Sequence, residues 1–239
     1  MRTISLCALV MTTAMWCVIG AFAEEGEWKD LFNGENLDKW EVKGGAATNR
    51  IEGDSIVGAS APDTQNTFLC TKENYGDFIL EFEFKGHPTM NSGVQVRSQS
   101  LPDYKEGRVH GYQVELEQND QERDWSGGIY DESRRGWLYP PDGDDALAAK
   151  FSEEGKKCWK EDDWNQVRVE AIGNSIKTWI NGQPRADLTD DMTASGFVGL
   201  QVHGVGDRKD PMSVRWRNIR IKEVTTEAGS GSKSKHEEK

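Results

Sequence analysis

Between Trp28 and Val224 the chain alternates apolar and polar residues in short runs separated by Gly, Asn and Asp. Phe78-Ile79-Leu80-Glu81-Phe82-Glu83-Phe84 puts Phe78, Leu80, Phe82 and Phe84 on one side, because a strand turns successive side chains to opposite faces. Val167, Val169 and Ala171 alternate with Arg168 and Glu170, and Gly173-Asn174 then predicts a turn. Ile176, Thr178 and Ile180 carry the pattern to Asn181-Gly182, a hairpin signal because both positions tolerate positive φ. Val214-Arg215-Trp216 and Ile219-Arg220-Ile221 close the series. No stretch sustains a helical period; Asp145 to Phe151 is the one helix-friendly segment, and it is short and lies in a long insertion. Many short strands with turns between them predict one all-β domain, a sandwich or jelly roll, without internal repeat or second domain.

The ends of the chain break this pattern. Arg2 precedes an apolar run from Ile4 to Ile19 and then Ala21-Phe22-Ala23, a small-x-small cleavage site. The run is short for a membrane span, so residues 1–23 are predicted to be a secretory signal and the protein to be exported, to a periplasm or beyond. Residues 24–224 form the predicted domain. Residues 225–239 are mostly Gly, Ser, Lys and Glu with no large apolar side chain, and predict a disordered polar tail. Loss of the leader removes Arg2 and takes the formal net charge from −12 to −13. That sign argues against nucleic acid or an anionic membrane surface as partner, since both reward clustered Lys and Arg. It also removes Cys7 and Cys17 and leaves Cys70 and Cys158. In an exported protein these are free to pair, a bridge worth about 4 kcal/mol in the chain-entropy model. A buried free thiol at Cys70, inside the apolar run Thr67-Phe68-Leu69-Cys70, is equally ordinary.

Candidate chemistry lies in three alternating segments: Ser92-Gly93-Val94-Gln95-Val96-Arg97, Tyr112-Gln113-Val114-Glu115-Leu116 and Leu200-Gln201-Val202-His203. In each, a Gln precedes an ionisable residue by two positions, so Gln95 with Arg97, Gln113 with Glu115, and Gln201 with His203 share a face. If the strands are neighbours, one face gathers a guanidinium, a carboxylate, an imidazole and three amides, a set suited to a polyhydroxylated ligand. Trp164, Trp179 and Trp216 lie in strand patterns and read as core. Trp40, Trp125, Trp137 and Tyr139 lie in Gly-rich or charged surroundings, where a ring either stacks on a sugar or packs a loop onto the sheet.

Several motifs, in order, resemble one family: Asp30-Leu31-Phe32-Asn33-Gly34 with Leu37 and Trp40, Tyr75-Gly76-Asp77-Phe78, Asn91-Ser92-Gly93-Val94-Gln95, Gly111-Tyr112-Gln113-Val114-Glu115, Ser126-Gly127-Gly128-Ile129-Tyr130, and Gly199-Leu200-Gln201-Val202-His203-Gly204. This is the 3-keto-disaccharide hydrolase domain, long catalogued as a domain of unknown function. The resemblance implies a concanavalin A-like jelly roll and cleavage of glycosides already oxidised to a ketone at C3.

A C3 ketone acidifies the hydrogen on C2, the C1 substituent leaves from the β position, and water then adds. The route needs a base near C2, a stabiliser for the enolate oxygen and an acid for the departing oxygen. His203 is the preferred base or acid, since imidazole titrates nearest neutral pH. Glu115 is the alternative base, or an acid if its surroundings raise its pKa. Arg97 is expected to steady the enolate, or else to form a salt bridge with Glu115. Gln95, Gln113 and Gln201 are expected to orient hydroxyls, with Tyr112, Asp131 and Trp137 as further substrate contacts. Glu117 shares the face of Glu115, where a charged side chain is usually solvated. A divalent metal is left open: His203, Glu115 and Asp131 make a carboxylate-rich set, but no close-spaced His or Cys pair exists. Two other functions compete, a non-catalytic carbohydrate-binding module of the same fold and a paired-carboxylate glycosidase. The second is disfavoured because Gln118-Asn119-Asp120 does not continue the alternating acids after Glu115-Leu116-Glu117.

Overall fold

The computed structural model describes residues 24–117 and 123–225; the predicted leader, residues 118–122, and residues 226–239 lie outside them. In chain order the strands are β1 (Glu24–Glu25), β2 (Lys29–Asp30), β3 (Trp40–Gly44), β4 (Thr48–Glu52), β5 (Ser55–Ala59), β6 (Thr67–Thr71), β7 (Phe78–Lys85) and β8 (Asn91–Gln99). They continue as β9 (His110–Glu117), β10 (Ile129–Glu132), β11 (Gly136–Tyr139), β12 (Asn165–Ile172), β13 (Ser175–Ile180), β14 (Gln183–Thr189), β15 (Phe197–Val202) and β16 (Ser213–Thr225). Among the described residues, a short 3-10 turn at Lys105–Gly107 and one α-helix, α1 (Asp145–Cys158), interrupt them.

The strands form two antiparallel sheets. One runs β14-β13-β12-β7-β16-β5-β4, with β1 and β2 added along β16; the other runs β11-β10-β9-β8-β15-β6-β3. The expected all-β jelly-roll sandwich is what the chain forms. Between the sheets lie Leu80, Phe82 and Phe84 of β7, Val167 and Val169 of β12, and Trp216 of β16, packed with Val94 and Val96 of β8, Val114 and Leu116 of β9, and Leu200 of β15. The alternation that buries these residues turns their neighbours outward, and so fixes which side chains meet on each outer face. Asn181 and Gly182 both have positive φ, as the two-residue turn between β13 and β14 requires.

Two features depart from the sequence expectations. Helix α1 is twice the predicted length, because it buries only Phe151, Ser152 and Gly155 and so carries little apolar periodicity; the Asp144 side chain accepts from the Leu147 amide, 3.0 Å, and caps it. Trp216 is core, but Trp164 and Trp179 are only half-buried. Trp179 pairs with Arg168, and so faces outward with the charged residues of that strand. Trp40 settles as a packing residue: it is buried and its indole N–H donates to the Leu31 carbonyl, 3.0 Å. Both cysteines are free thiols. Cys70 is fully buried with Phe68, Val109 and Phe197, and that burial pushes its thiol pKa far up.

Candidate functional site on the outer face of the seven-stranded sheet

The three glutamines do share a face. Gln95 pairs with Gln113 across β8 and β9, while Gly93 pairs with Glu115 on one side and Gln201 on the other. All four side chains point away from the sandwich core, yet none is more than 3% exposed. Gly93 is what allows the cluster to close: a Cβ there would lie 2.7 Å from the Gln113 side-chain carbonyl carbon. The bare backbone at that position lets the Gln113 amide lie flat between Gln201 and Glu115.

The hydrogen bonds run in one direction. Ser98 Oγ donates to Gln95 Oε1, 2.7 Å; Gln95 Nε2 donates to Gln113 Oε1, 2.6 Å; and Gln113 Nε2 donates to Glu115 Oε2, 3.0 Å. Gln201 Nε2 adds a second donor to Gln113 Oε1 at 2.8 Å. Asn91 Nδ2 donates to the other Glu115 oxygen. Gln201 Oε1 is buried with no hydrogen-bond partner. An orphaned acceptor of that kind costs about 1–3 kcal/mol.

Glu115 is pushed up to about 8, first by burial and then by the neighbouring Glu117, against the hydrogen bonds from Asn91 and Gln113 and the charge of Arg123. At neutral pH it is therefore a carboxylic acid. Both its oxygens face N–H donors, which cannot accept its proton, so the O–H is directed away from the amide chain. Glu117, expected to be solvated, is instead 4% exposed. Burial raises its pKa too, opposed by Arg123, whose Nε lies 3.4 Å from Glu117 Oε1.

Arg97 does not join this group. It has φ 48, and the register of β8 with β9 shifts between Val96 and Gln99. This bulge resets the alternation. Ser98 rather than Arg97 follows Gln95 on the outer face. The Arg97 guanidinium, 1% exposed, donates instead to the Gly76 and Gly173 carbonyls, both 2.7 Å, and pairs with Asp77 at 2.8 Å. It ties loops together, and its acid partner is Asp77, not Glu115.

Tyr112 and Asp131 also face the other way. They pair in register across β9 and β10 and share the side opposite Gln113 and Tyr130. Asp131 is fully buried between Arg134, 2.6 Å, and Arg135, while the Tyr112 hydroxyl donates to Asp190. The set His203, Glu115 and Asp131 is thus not assembled, and among the described residues no other group of three or more such side chains gathers as metal ligands.

His203 lies just beyond β15, after its last paired residue, Val202. It is half-buried, and its Nδ1 lies 2.7 Å from the Gly204 carbonyl. A carbonyl only accepts, so Nδ1 carries the proton of the neutral ring and Nε2 keeps its lone pair.

Trp137 pairs with Tyr130, next to Gln113. Its ring meets those of Trp125, 4.4 Å, and Tyr130, 5.3 Å, both edge-on. The Arg123 guanidinium lies 4.3 Å over the Trp125 ring. This aromatic wall stands beside Glu117, and Arg123 supplies the cation that Arg97 does not. Burial, with Glu132 and Glu115 nearby, raises the pKa of Tyr130 and keeps its hydroxyl a donor. Asn91 and Glu117 follow from the same period-two rule that found the glutamines. Arg123 carries no such signal, because it precedes a loop rather than extending a strand.

The fold is shared widely among solved structures. A candidate glycosyl hydrolase from Parabacteroides distasonis superposes with TM-score 0.56 at 19% identity, over 84% of this chain and 94% of that one. A protein of unknown function with a galectin-like fold from Bacillus subtilis gives 0.55 at 12% identity, over 85% and 99%. A 1,3-α-1,4-β-D-galactose-4-sulfate-3,6-anhydro-D-galactose 4 galactohydrolase gives 0.55 at 11% identity, over 89% and 100%. No match was found among curated proteins. The family model for the 3-keto-alpha-glucoside-1,2-lyase-like domain matches residues 27–222, almost the whole described sandwich. The chain belongs to that carbohydrate-related family.

Proposed function

We propose that the protein cleaves the glycosidic bond of 3-keto-glucosides on the outer face of the seven-stranded sheet. The observation that carries this is the buried Glu115, held by Asn91 and Gln113 and pushed up to about 8 by its burial. A carboxylic acid so placed can donate to a ketone oxygen and strengthen that bond as the oxygen becomes an enolate.

The reaction runs in two halves. His203 Nε2 removes the C2 proton; the electron pair forms the C2–C3 double bond and the C3 oxygen takes the charge, stabilised by Glu115. The enolate then re-forms the ketone, the electron pair moves to C1–C2, and the C1 oxygen departs with a proton from Glu117 or Tyr130. Water adds to the C1–C2 double bond, its hydroxyl to C1 and a proton to C2, giving the free 3-keto-sugar. Arg123 over Trp125 holds positive charge beside the developing anion. Trp137 and Trp125 offer apolar edges to the sugar ring. Export of the enzyme rests on residues 1–23 and is checked by the N-terminus of protein recovered outside the cytoplasm.

The test is a 3-keto-glucoside with a chromogenic aglycone. Release by wild type, a slowed rate with deuterium at C2, and loss of release in His203→Ala are expected. No release at any pH from 5 to 9, with binding of the same sugar retained, would make the domain a binding module instead.

A further inference from the structure

We propose that Gln201 reads a hydroxyl on the carbon next to the ketone, so that the site recognises the vicinal hydroxy-ketone and not the ketone alone. The inference rests on the 3-keto-glucoside reading above and deepens it.

The orientation of Gln201 is fixed by its neighbours. Gln113 Oε1 already receives Gln95 Nε2 at 2.6 Å and Gln201 Nε2 at 2.8 Å. Turning the Gln201 amide over would set its carbonyl against the Gln113 carbonyl, two acceptors without a proton between them. Turning Gln113 as well would set its amide against the amide of Gln95. Gln95 is held in turn at its own carbonyl, which receives Ser98 Oγ at 2.7 Å. The chain of amides that starts at Ser98 leaves one atom over, Gln201 Oε1, fully buried and without a donor.

Of the three glutamine carbonyls, this is the one left for a ligand. It accepts and cannot donate, so the ligand oxygen that meets it must carry hydrogen. A ketone oxygen there would be repelled; a hydroxyl would fill the vacant bond. Glu115 offers the opposite character, a proton to give. The heads of Gln201 and Glu115 rest on the two ends of one amide, that of Gln113. An acceptor and a donor joined through one amide suit a hydroxyl and a ketone carried on adjacent carbons of one sugar ring. The unoxidised glucoside presents two hydroxyls there, which leaves the Glu115 proton a poorer acceptor and nothing to polarise.

The probes are the chromogenic 3-keto-glucoside and its 2-deoxy and 4-deoxy counterparts, read as kcat/KM. Wild type is expected to lose roughly tenfold to a hundredfold on one of the two deoxy probes, the size expected when a buried acceptor goes unpaired. Gln201→Met is expected to lose activity on the full probe and little on that deoxy probe, so the preference collapses to within a few-fold. A purely structural Gln201 would lower all three probes alike and leave the ratios standing, and that result overturns the proposal. Equal wild-type activity on all three probes overturns it without any variant, should Gln201→Met not fold. If wild type turns over none of them, the dissociation constants of the 3-keto-sugar and its deoxy forms carry the same comparison, which separates failure of the subsite from failure of the reaction.

Discussion

The two outer faces of this sandwich carry similar residues and reach opposite states. On the nine-stranded sheet, Glu81 meets Arg168 at 2.5 Å and Arg220 at 2.6 Å, and Glu83 meets Arg217 at 2.5 Å and Asn218 at 2.8 Å. Arg217 lies 4.1 Å over Trp164 and Arg220 4.5 Å over Trp28. Burial raises the pKa of Glu81, but the hydrogen bonds from Arg220 and Arg168 outweigh it and hold the carboxyl below its ordinary value. A groove of about 830 Å³ runs along this face, and its charged walls answer one another. On the seven-stranded sheet, Glu115 has amide donors in place of guanidinium partners, a second acid beside it and almost no solvent. The first face neutralises its charge locally; the second leaves a proton and an acceptor unspent. Incomplete bonding, rather than a groove, is therefore the guide to chemistry here.

Replacing Glu115 with Ala should break the comparison most strongly. On the chromogenic 3-keto-glucoside it should lower kcat by roughly 10²–10³, the usual loss when a donor to a developing oxyanion is removed. Glu81→Ala on the other face should leave kcat within twofold.

Arg97→Met separates the expected role of that residue from the observed one. Breaking a buried ion pair and two carbonyl contacts should cost about 3 kcal/mol in urea unfolding, with kcat per folded molecule unchanged. A fall in kcat at unchanged stability would return Arg97 to the site.

The acid–base difference should also appear in stability against pH. Glu115 stays protonated in the folded protein up to about 8, against 4.5 for an unperturbed side chain. Between those values the folded chain binds the extra proton. The Glu115 contribution to stability is therefore greatest below about pH 4.5 and is lost as pH rises toward 8. From pH 5 to 7 the contribution is about 2–3 kcal/mol, and Glu115→Gln should flatten the slope by that amount. The smallest effect belongs to the charged ladder. Arg168→Gln should cost under about 1 kcal/mol, because its partners are a quarter exposed and screened.

The strands and their alternation were legible because one face of each is core, which leaves a strict period of two in β7, β12 and β13. The same rule brought Gln95, Gln113, Glu115 and Gln201 together correctly. It failed at Arg97, where one non-glycine residue at positive φ reversed the count with no Gly or Pro to announce it. It failed again at Asp131 and Tyr112, whose polar atoms suggested a surface but whose register turns them inward to Arg134, Arg135 and Asp190. Arg123 was invisible for a different reason, since its place is set by a loop closing on Trp125. The length of α1 was hidden by its narrow buried stripe.

The most direct test is to follow the side-chain carboxyl carbons of Glu115 and Glu81 by ¹³C NMR through a pH titration, with and without a 3-keto-glucoside, using Glu115→Gln and Glu81→Gln to assign them. Glu115 should titrate near 8 and shift when the sugar is added, while Glu81 titrates below 4.5 and does not move. A Glu115 midpoint below 5, or a resonance indifferent to the sugar, would contradict the account.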